Sequence, residues 1–260
     1  CVVVMNVSTG ELLVAASAPS FNLNMFVSGD RREWERVNAD QRHPFLSRVT
    51  STALPPGSVI KPLTAVAGIE SGHLNPQQLF HCQGYLNSPD ALRCLIYRMY
   101  GRGHGDVDLR SAIAQSCNVY FFDVARRTGF GVLKDWFRRF GLGEATGVDL
   151  PFEQAGTLPG PGIVSPAAEE QLKSETPGMA IGQSRVTVTP LQVARAMAAI
   201  ANGGWLVTPH VVSDEGTAHV AGDIDDRPGE IRRYRIPDLK PSTLAAVRSG
   251  LEAAVQEPSG

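Results

Sequence analysis

Residues Leu54-Pro55-Pro56-Gly57-Ser58-Val59-Ile60-Lys61-Pro62 constrain this chain more than any other stretch. Two prolines and a glycine break helices, so they place a helix start here rather than interrupt one. Apolar residues then recur at Ile60, Leu63, Val66, Ala67 and Ile69, a helical period that ends near Gly72. Ser58 therefore falls in the first turn, and Lys61, three residues on, shares its face. A serine hydroxyl becomes a nucleophile when a base lies within hydrogen-bond reach. A lysine amine supplies that base once burial or a neighbouring cation has lowered its pKa. The backbone N–H of Ser58, unpaired at a helix start, is free to meet a developing oxyanion. Ser-x-x-Lys is a short pattern that recurs by chance. Alone it describes a capped helix with a surface lysine, so its weight depends on partners elsewhere in the chain.

The chain of 260 residues is 43% hydrophobic, enough for a large core in one domain or two subdomains. A net charge of -2 points to neither a nucleic-acid surface nor an acidic tail. No apolar run approaches the ~20 residues of a membrane span. The sequence opens inside a strand-like run at Cys1 and closes in Glu257-Pro-Ser-Gly260, so it is expected to be a domain cut from a longer protein.

Apolar runs at Cys1–Met5 and Leu12–Ala16, joined by Asn6-Val-Ser-Thr-Gly-Glu11, predict a hairpin. Residues 18–50 read as a long surface connection, and 73–107 as a polar loop too long to stand without a function or a staple. Helices are expected over Leu109–Gly129 and Phe130–Phe140, then a Gly/Pro-rich connection over 144–178. Thr189 is placed as the N-cap of a helix with Pro190 first and Asn202-Gly-Gly204 ending it. Leu206–Val212 suggests a strand, and Ser242–Val255 a last helix with Ser242 as its cap.

Ser116-Cys117-Asn118 lies in the helical segment after the long loop. A second serine can relay a proton between Lys61 and a departing amine, and an asparagine amide can hold both the lysine and a substrate carbonyl. Alone, this too is only a polar helix start.

Together the segments resemble a known family. Leu54–Pro62 is similar to the Pro-Gly-Ser-x-x-Lys-Pro box of the penicillin-binding protein transpeptidases, and Ala112-Ile-Ala-Gln-Ser-Cys-Asn-Val-Tyr-Phe121 to their second box. Phe140–Pro151, Gly178–Gln183, Val188–Gln192, Ala201–Gly204 and the Ser8–Glu11 hairpin resemble further family segments, in order along the whole chain. Within the family it is similar to the class B, penicillin-binding protein 2-like enzymes of cell elongation. Two departures stand out. Ser184 follows Gln183 where the family more often has glycine, and the third motif, Lys-Thr-Gly, does not occur. The family places that motif after a segment similar to Val255–Gly260, so its absence reads as truncation.

The resemblance implies an α/β fold, the penicillin-binding transpeptidase fold. It has an antiparallel sheet flanked by helices, and a mostly helical subdomain over roughly 62–185 within one domain spanning 1–260. It implies a peptidoglycan D,D-transpeptidase. Ser58 would attack the carbonyl of a D-Ala-D-Ala stem peptide, Lys61 would take its proton, Ser116 would pass it to the departing D-Ala, and Asn118 would orient lysine and substrate. β-Lactams would acylate Ser58. It further implies a cell-wall glycosyltransferase partner, a position on the extracytoplasmic, periplasmic face of the bacterial inner membrane, and an N-terminal membrane anchor outside this chain. A catalytically silent zinc-stabilised scaffold is the alternative, and a serine β-lactamase a weaker one.

Cys82, Cys94, His104 and Cys117 follow one another with eleven, nine and twelve intervening residues. Three cysteines and a histidine suit tetrahedral zinc by ligand type, although the spacing is not that of a finger or ribbon. Some relatives bind zinc near the second motif, and a metal would pin the loop over 73–107 to Cys117. A Cys82–Cys94 disulfide, or a turn histidine beside unlinked thiols, stays open. Asp106 and Asp108 are read as helix-start carboxylates, and Arg126, Arg127, Arg138 and Arg139 as solvated helix faces.

Overall fold

A computed structural model describes residues 1–160, 166–212 and 233–257. Strands β1 (Val2–Met5) and β2 (Leu12–Ala16) form the expected antiparallel hairpin. Residues 18–50 are more ordered than a connection: they hold α1 (Asn24–Ser28) and α2 (Arg31–Asn38). The Asp30 carboxylate accepts from the N–H groups of Arg32 and Glu33 and so caps α2. Phe21, Phe26, Trp34 and Phe45 stack around these helices.

A 3-10 turn over Gly57–Ile60 leads into α3 (Lys61–Glu70). Every residue of α3 from Lys61 to Gly68 is buried. A helix apolar on all sides belongs at the centre of a core, and α6, α7 and α10 all pack on it. Gly68 allows the close approach to α6, because a Cβ there would press on Val124 and Leu74.

The segment over 73–107 is built of short pieces: β3 (Phe80–Cys82), β4 (Tyr85–Ser88), β5 (Ala91–Arg93), α4 (Leu95–Tyr100) and β6 (Gly105–Val107). β3 pairs with β6 and β4 with β5, both antiparallel. Asp108 caps α5 (Leu109–Ala114) as its sequence position suggested, whereas Asp106 lies in β6 and meets His81 at 2.7 Å. The helix expected over Leu109–Gly129 is two helices, because the chain breaks at Gln115–Cys117 before α6 (Asn118–Thr128). α7 (Phe130–Arg139) follows. Arg126 and Arg127 are not simply solvated: both pair with Asp123 at 2.9 Å.

Residues 144–178 contain more than a connection, since α8 (Pro166–Ala180) occupies their second half. α9 (Pro190–Ala201) starts as expected, with Thr189 and Gln192 forming a reciprocal capping box. β7 (Trp205–Val207) stops short of the strand expected to Val212. Pro209 lacks an N–H for a ladder, and the chain instead meets the hairpin turn through His210. β7 pairs with β8 (Arg233–Arg235). α10 (Pro241–Gln256) is flanked at its start by Lys240, not Ser242, and Gly250 lets it close on Ile113 of α5. Among the described residues the strands form four antiparallel pairs, with helices packed around α3.

Candidate active site

Lys61 opens α3 and is only 2% exposed. Its Nζ donates to three oxygens: the Ser116 carbonyl at 2.7 Å, Ser116 Oγ at 2.8 Å and Asn118 Oδ1 at 2.7 Å. An ammonium has three donors, so the set is saturated. None of the partners is an anion. Burial therefore dominates and pushes the lysine down from its ordinary 10.5 to about 8, against the opposing pull of Cys117 and Cys94. A lysine poised there holds a substantial neutral fraction near physiological pH. When neutral, its lone pair can accept the Ser116 hydroxyl proton, which is the geometry a relay requires.

The break between α5 and α6 makes this possible. Ser116 adopts φ 52°, a left-handed conformation costly for a residue with a side chain. In a continuous helix the Ser116 carbonyl would accept from the N–H of Tyr120. Instead that N–H goes to Cys117 Sγ, and the carbonyl is released to Lys61. Cys117 caps α6 and is buried on the side away from the cleft.

Ser58 stands exposed at the mouth of a cleft of about 510 Å³ that Ser116, Asn118 and Gln183 also line. Its hydroxyl makes no hydrogen bond to a described residue, and neither does its backbone N–H. Lys61 thus reaches Ser116 and Asn118, while Ser58 shares their cleft without being bonded to them. Such contacts commonly tighten only once substrate is bound.

Two segments hold the Ser58 turn. The N–H of Gly57 donates to the Gly182 carbonyl at 2.8 Å, and Leu54 exchanges two backbone hydrogen bonds with Val188. Thr64 Oγ1 donates to the Ala180 carbonyl at 2.8 Å. Gly182 has φ 69°, and a Cβ on it would collide with the Gly57 backbone. Gly182→Ala is expected to lower stability by about 1–3 kcal/mol, through strain and a displaced turn. Thermal unfolding of the variant checks this.

Next to the cleft, which His104 also lines, Cys82 Sγ, Cys94 Sγ, His104 Nδ1 or Nε2 and Cys117 Sγ lie within 4.8 Å of one another. The Cys82–Cys94 and Cys94–Cys117 sulfurs are 3.7 Å apart, and Cys82 Sγ lies 3.5 Å from His104 Nδ1. A disulfide needs about 2.05 Å, and all three cysteines are free thiols. Sulfurs on a tetrahedron of ~2.3 Å bonds are ~3.8 Å apart, so the donor set fits zinc. Hydrogen bonds from Cys117 and Cys94 favour the Cys82 thiolate, and the Cys117 thiol is pushed up by its hydrogen bond to Cys82. His104 rises to about 9, chiefly through its hydrogen bond to Cys82.

All eight residues singled out from the sequence therefore sit in two adjacent groups, four around Lys61 and the cleft, four in the thiol cluster. Sequence reasoning missed Arg93, Arg98, Gln115 and Gln183 as cleft-lining residues. Gln115 and Gln183 carried a signal, as members of the Ala112–Phe121 and Gly178–Gln183 segments.

The family model described as penicillin binding protein transpeptidase domain matches residues 1–260. The chain belongs to the penicillin-binding protein transpeptidase family. It is 36% identical over 214 residues to the peptidoglycan D,D-transpeptidase MrdA of Acinetobacter baumannii, covering 81% of this chain and 32% of that protein. It is similar to PBP2 in a complex of PBP2 with MreC from Helicobacter pylori, with TM-score 0.80, 29% identity, and coverage of 99% of this chain and 45% of that one. It is also similar to a chain from a structure described as structural coordination of polymerization and crosslinking by a peptidoglycan synthase complex, with TM-score 0.79, 31% identity and coverage of 98% and 42%. The transpeptidase domain thus spans about a third of the length of the curated relative. Its fold is the penicillin-binding transpeptidase fold.

Proposed function

We propose that this domain is a serine-type peptidoglycan D,D-transpeptidase. The observation that carries the proposal is the burial of Lys61 among Ser116 Oγ, the Ser116 carbonyl and Asn118 Oδ1, atoms of two residues that line a cleft together with Ser58. In the first half-reaction, Ser58 Oγ attacks the carbonyl of the penultimate D-Ala of a stem peptide. Its proton passes to neutral Lys61, and Ser116 delivers a proton to the nitrogen of the departing D-Ala. The unpaired Ser58 N–H is one donor to the oxyanion. Asn118 holds the lysine and orients the peptide. An amine from a second stem then attacks the acyl-enzyme, restoring Ser58 and forming the cross-link. β-Lactams acylate the same serine.

Cys82, Cys94, His104 and Cys117 hold a structural zinc. The ion supplies a rigid tie rather than a reaction step: Cys117 lies between Ser116 and Asn118, and Cys94 starts the cleft wall at α4. The domain works on the periplasmic face of the bacterial inner membrane, with a glycosyltransferase as partner and an N-terminal segment as anchor. The MreC complex and the synthase complex of similar chains support cell-wall partners.

A D-amino-acid exchange assay on the full-length protein tests the reaction. A D-Ala-D-Ala pentapeptide should trade its last residue for a supplied D-amino acid, and Ser58→Ala should abolish the exchange. Equal exchange by both proteins would refute the assigned nucleophile.

A further inference from the structure

The cleft beside Ser58 has a wall that the reaction above does not use. It runs from Arg93 at the end of β5 through α4. Arg93 and Arg98 both line the cleft, and neither side chain has an ion pair or hydrogen bond among the described residues. Among the described residues, no aspartate or glutamate lines the cleft. Elsewhere most of the arginines described pair with a carboxylate, as Arg126 and Arg127 do with Asp123. The same wall exposes apolar surface. Leu95 is 63% exposed and Met99 61%, and these two are one helical turn apart on one face.

The wall is also fixed relative to the catalytic turn. Asn118 Nδ2 donates to the Arg93 carbonyl at 3.4 Å, and the N–H of Val119 donates to Cys94 Sγ at 3.3 Å. Two cations with no partner among the described residues, and an apolar strip tied to Asn118 and Val119, make a surface for a chain with both methylenes and an anion. Guanidinium forks match carboxylates in geometry and charge.

We propose that Arg93 and Arg98 read a carboxylate within the peptide donor, one that stays on the acyl-enzyme after the C-terminal residue leaves, while Leu95 and Met99 carry the adjoining aliphatic chain. This rests on the transpeptidase reading and adds a determinant of which stem peptides serve as donors.

The test uses three β-lactams with the same core, and so the same core carboxylate, whose acyl side chains end in a carboxylate, in its primary amide or in an amine. Acylation rate constants of the full-length protein give a carboxylate-to-amide ratio. Wild type should prefer the carboxylate by about tenfold, the scale of a charged hydrogen-bonding pair. Arg98→Gln should lower the ratio a few-fold, since an exposed pair is worth less. Arg93→Gln with Arg98→Gln should bring it near unity. Arg98→Glu should reverse the preference toward an amine-terminated side chain, and it tests the idea even if replacing Arg93 disturbs the neighbouring Cys94. A wild-type ratio of one, or a ratio the substitutions leave alone, overturns the inference while leaving the acyltransferase standing. An effect confined to transfer onto the acceptor amine overturns the donor assignment. Absence of any acylation in wild type overturns the transpeptidase reading, and this inference with it.

Discussion

Lys61→Met is expected to lower the rate of the proposed Ser58 acylation by about 10²–10⁴-fold, the range for removing a general base. Methionine keeps most of the buried volume but cannot take a proton. Lys61→Arg should be as impaired, because guanidinium stays charged. That pair of variants separates a base from a packing element: a purely structural lysine would be better replaced by arginine, which retains the donors to Ser116 and Asn118. In the wild-type protein the rate should rise with pH through about 8, where the amine becomes neutral. Stopped-flow acylation from pH 6 to 9.5 reads this directly. The sign for stability follows from the same shift. The folded pKa lies below the ordinary 10.5, so between about 8 and 10.5 the unfolded chain binds more protons at this group. The Lys61 contribution to stability therefore increases as pH rises through that window, and below it the cost of burying the ammonium is fully present.

Cys94→Ser is expected to abolish the proposed zinc binding and to lower the temperature at which the domain unfolds. Cys94 touches both Cys82 and Cys117, so losing its sulfur opens two edges of the cluster at once. A ligand present at a thousandfold its dissociation constant stabilises by about 4 kcal/mol. For a domain of this size that corresponds to roughly 8–16 °C in melting temperature. Plasma emission spectroscopy should find one zinc per chain in protein purified without added metal, and much less in the variant. A chelator added to wild type should reproduce the shift, and zinc should restore it. An intact mass two hydrogens light with no metal would contradict the proposal. The consequence should reach the cleft, since Cys117 caps α6 between two residues bonded to Lys61.

Ser58, Lys61, Ser116 and Asn118 could be named as candidates from two short polar patterns read together with the family resemblance, and the fold brings Lys61 against Ser116 and Asn118. What was not legible is how the second group is presented. Apolar periodicity runs unbroken from Leu109 to Gly129, so the segment reads as one helix. The break at Ser116 comes from tertiary demands, namely a carbonyl claimed by Lys61 and an N–H claimed by Cys117. Pro177 and Gly178 concealed α8 in the same way, as breakers that packing overrides. The segment over 73–107 looked structureless because its strands are three or four residues long, too short to show a period. Its cysteines and histidine could be named, but only the folded chain shows them sharing one point. Arg93 and Arg98 carried no signal, since a cation becomes informative only when no acid is near it in space. Glycine at position 184 gains a reason here: the φ of 73° at Ser184 is a conformation that glycine adopts without strain.

The measurement that bears most directly on the central claim is covalent labelling with a fluorescent penicillin, followed by peptide mass spectrometry. A single adduct on the peptide containing Ser58, lost in Ser58→Ala and slowed in Lys61→Met, is the result expected. Labelling that persists in Ser58→Ala, or no labelling of the full-length protein at saturating penicillin, would contradict it.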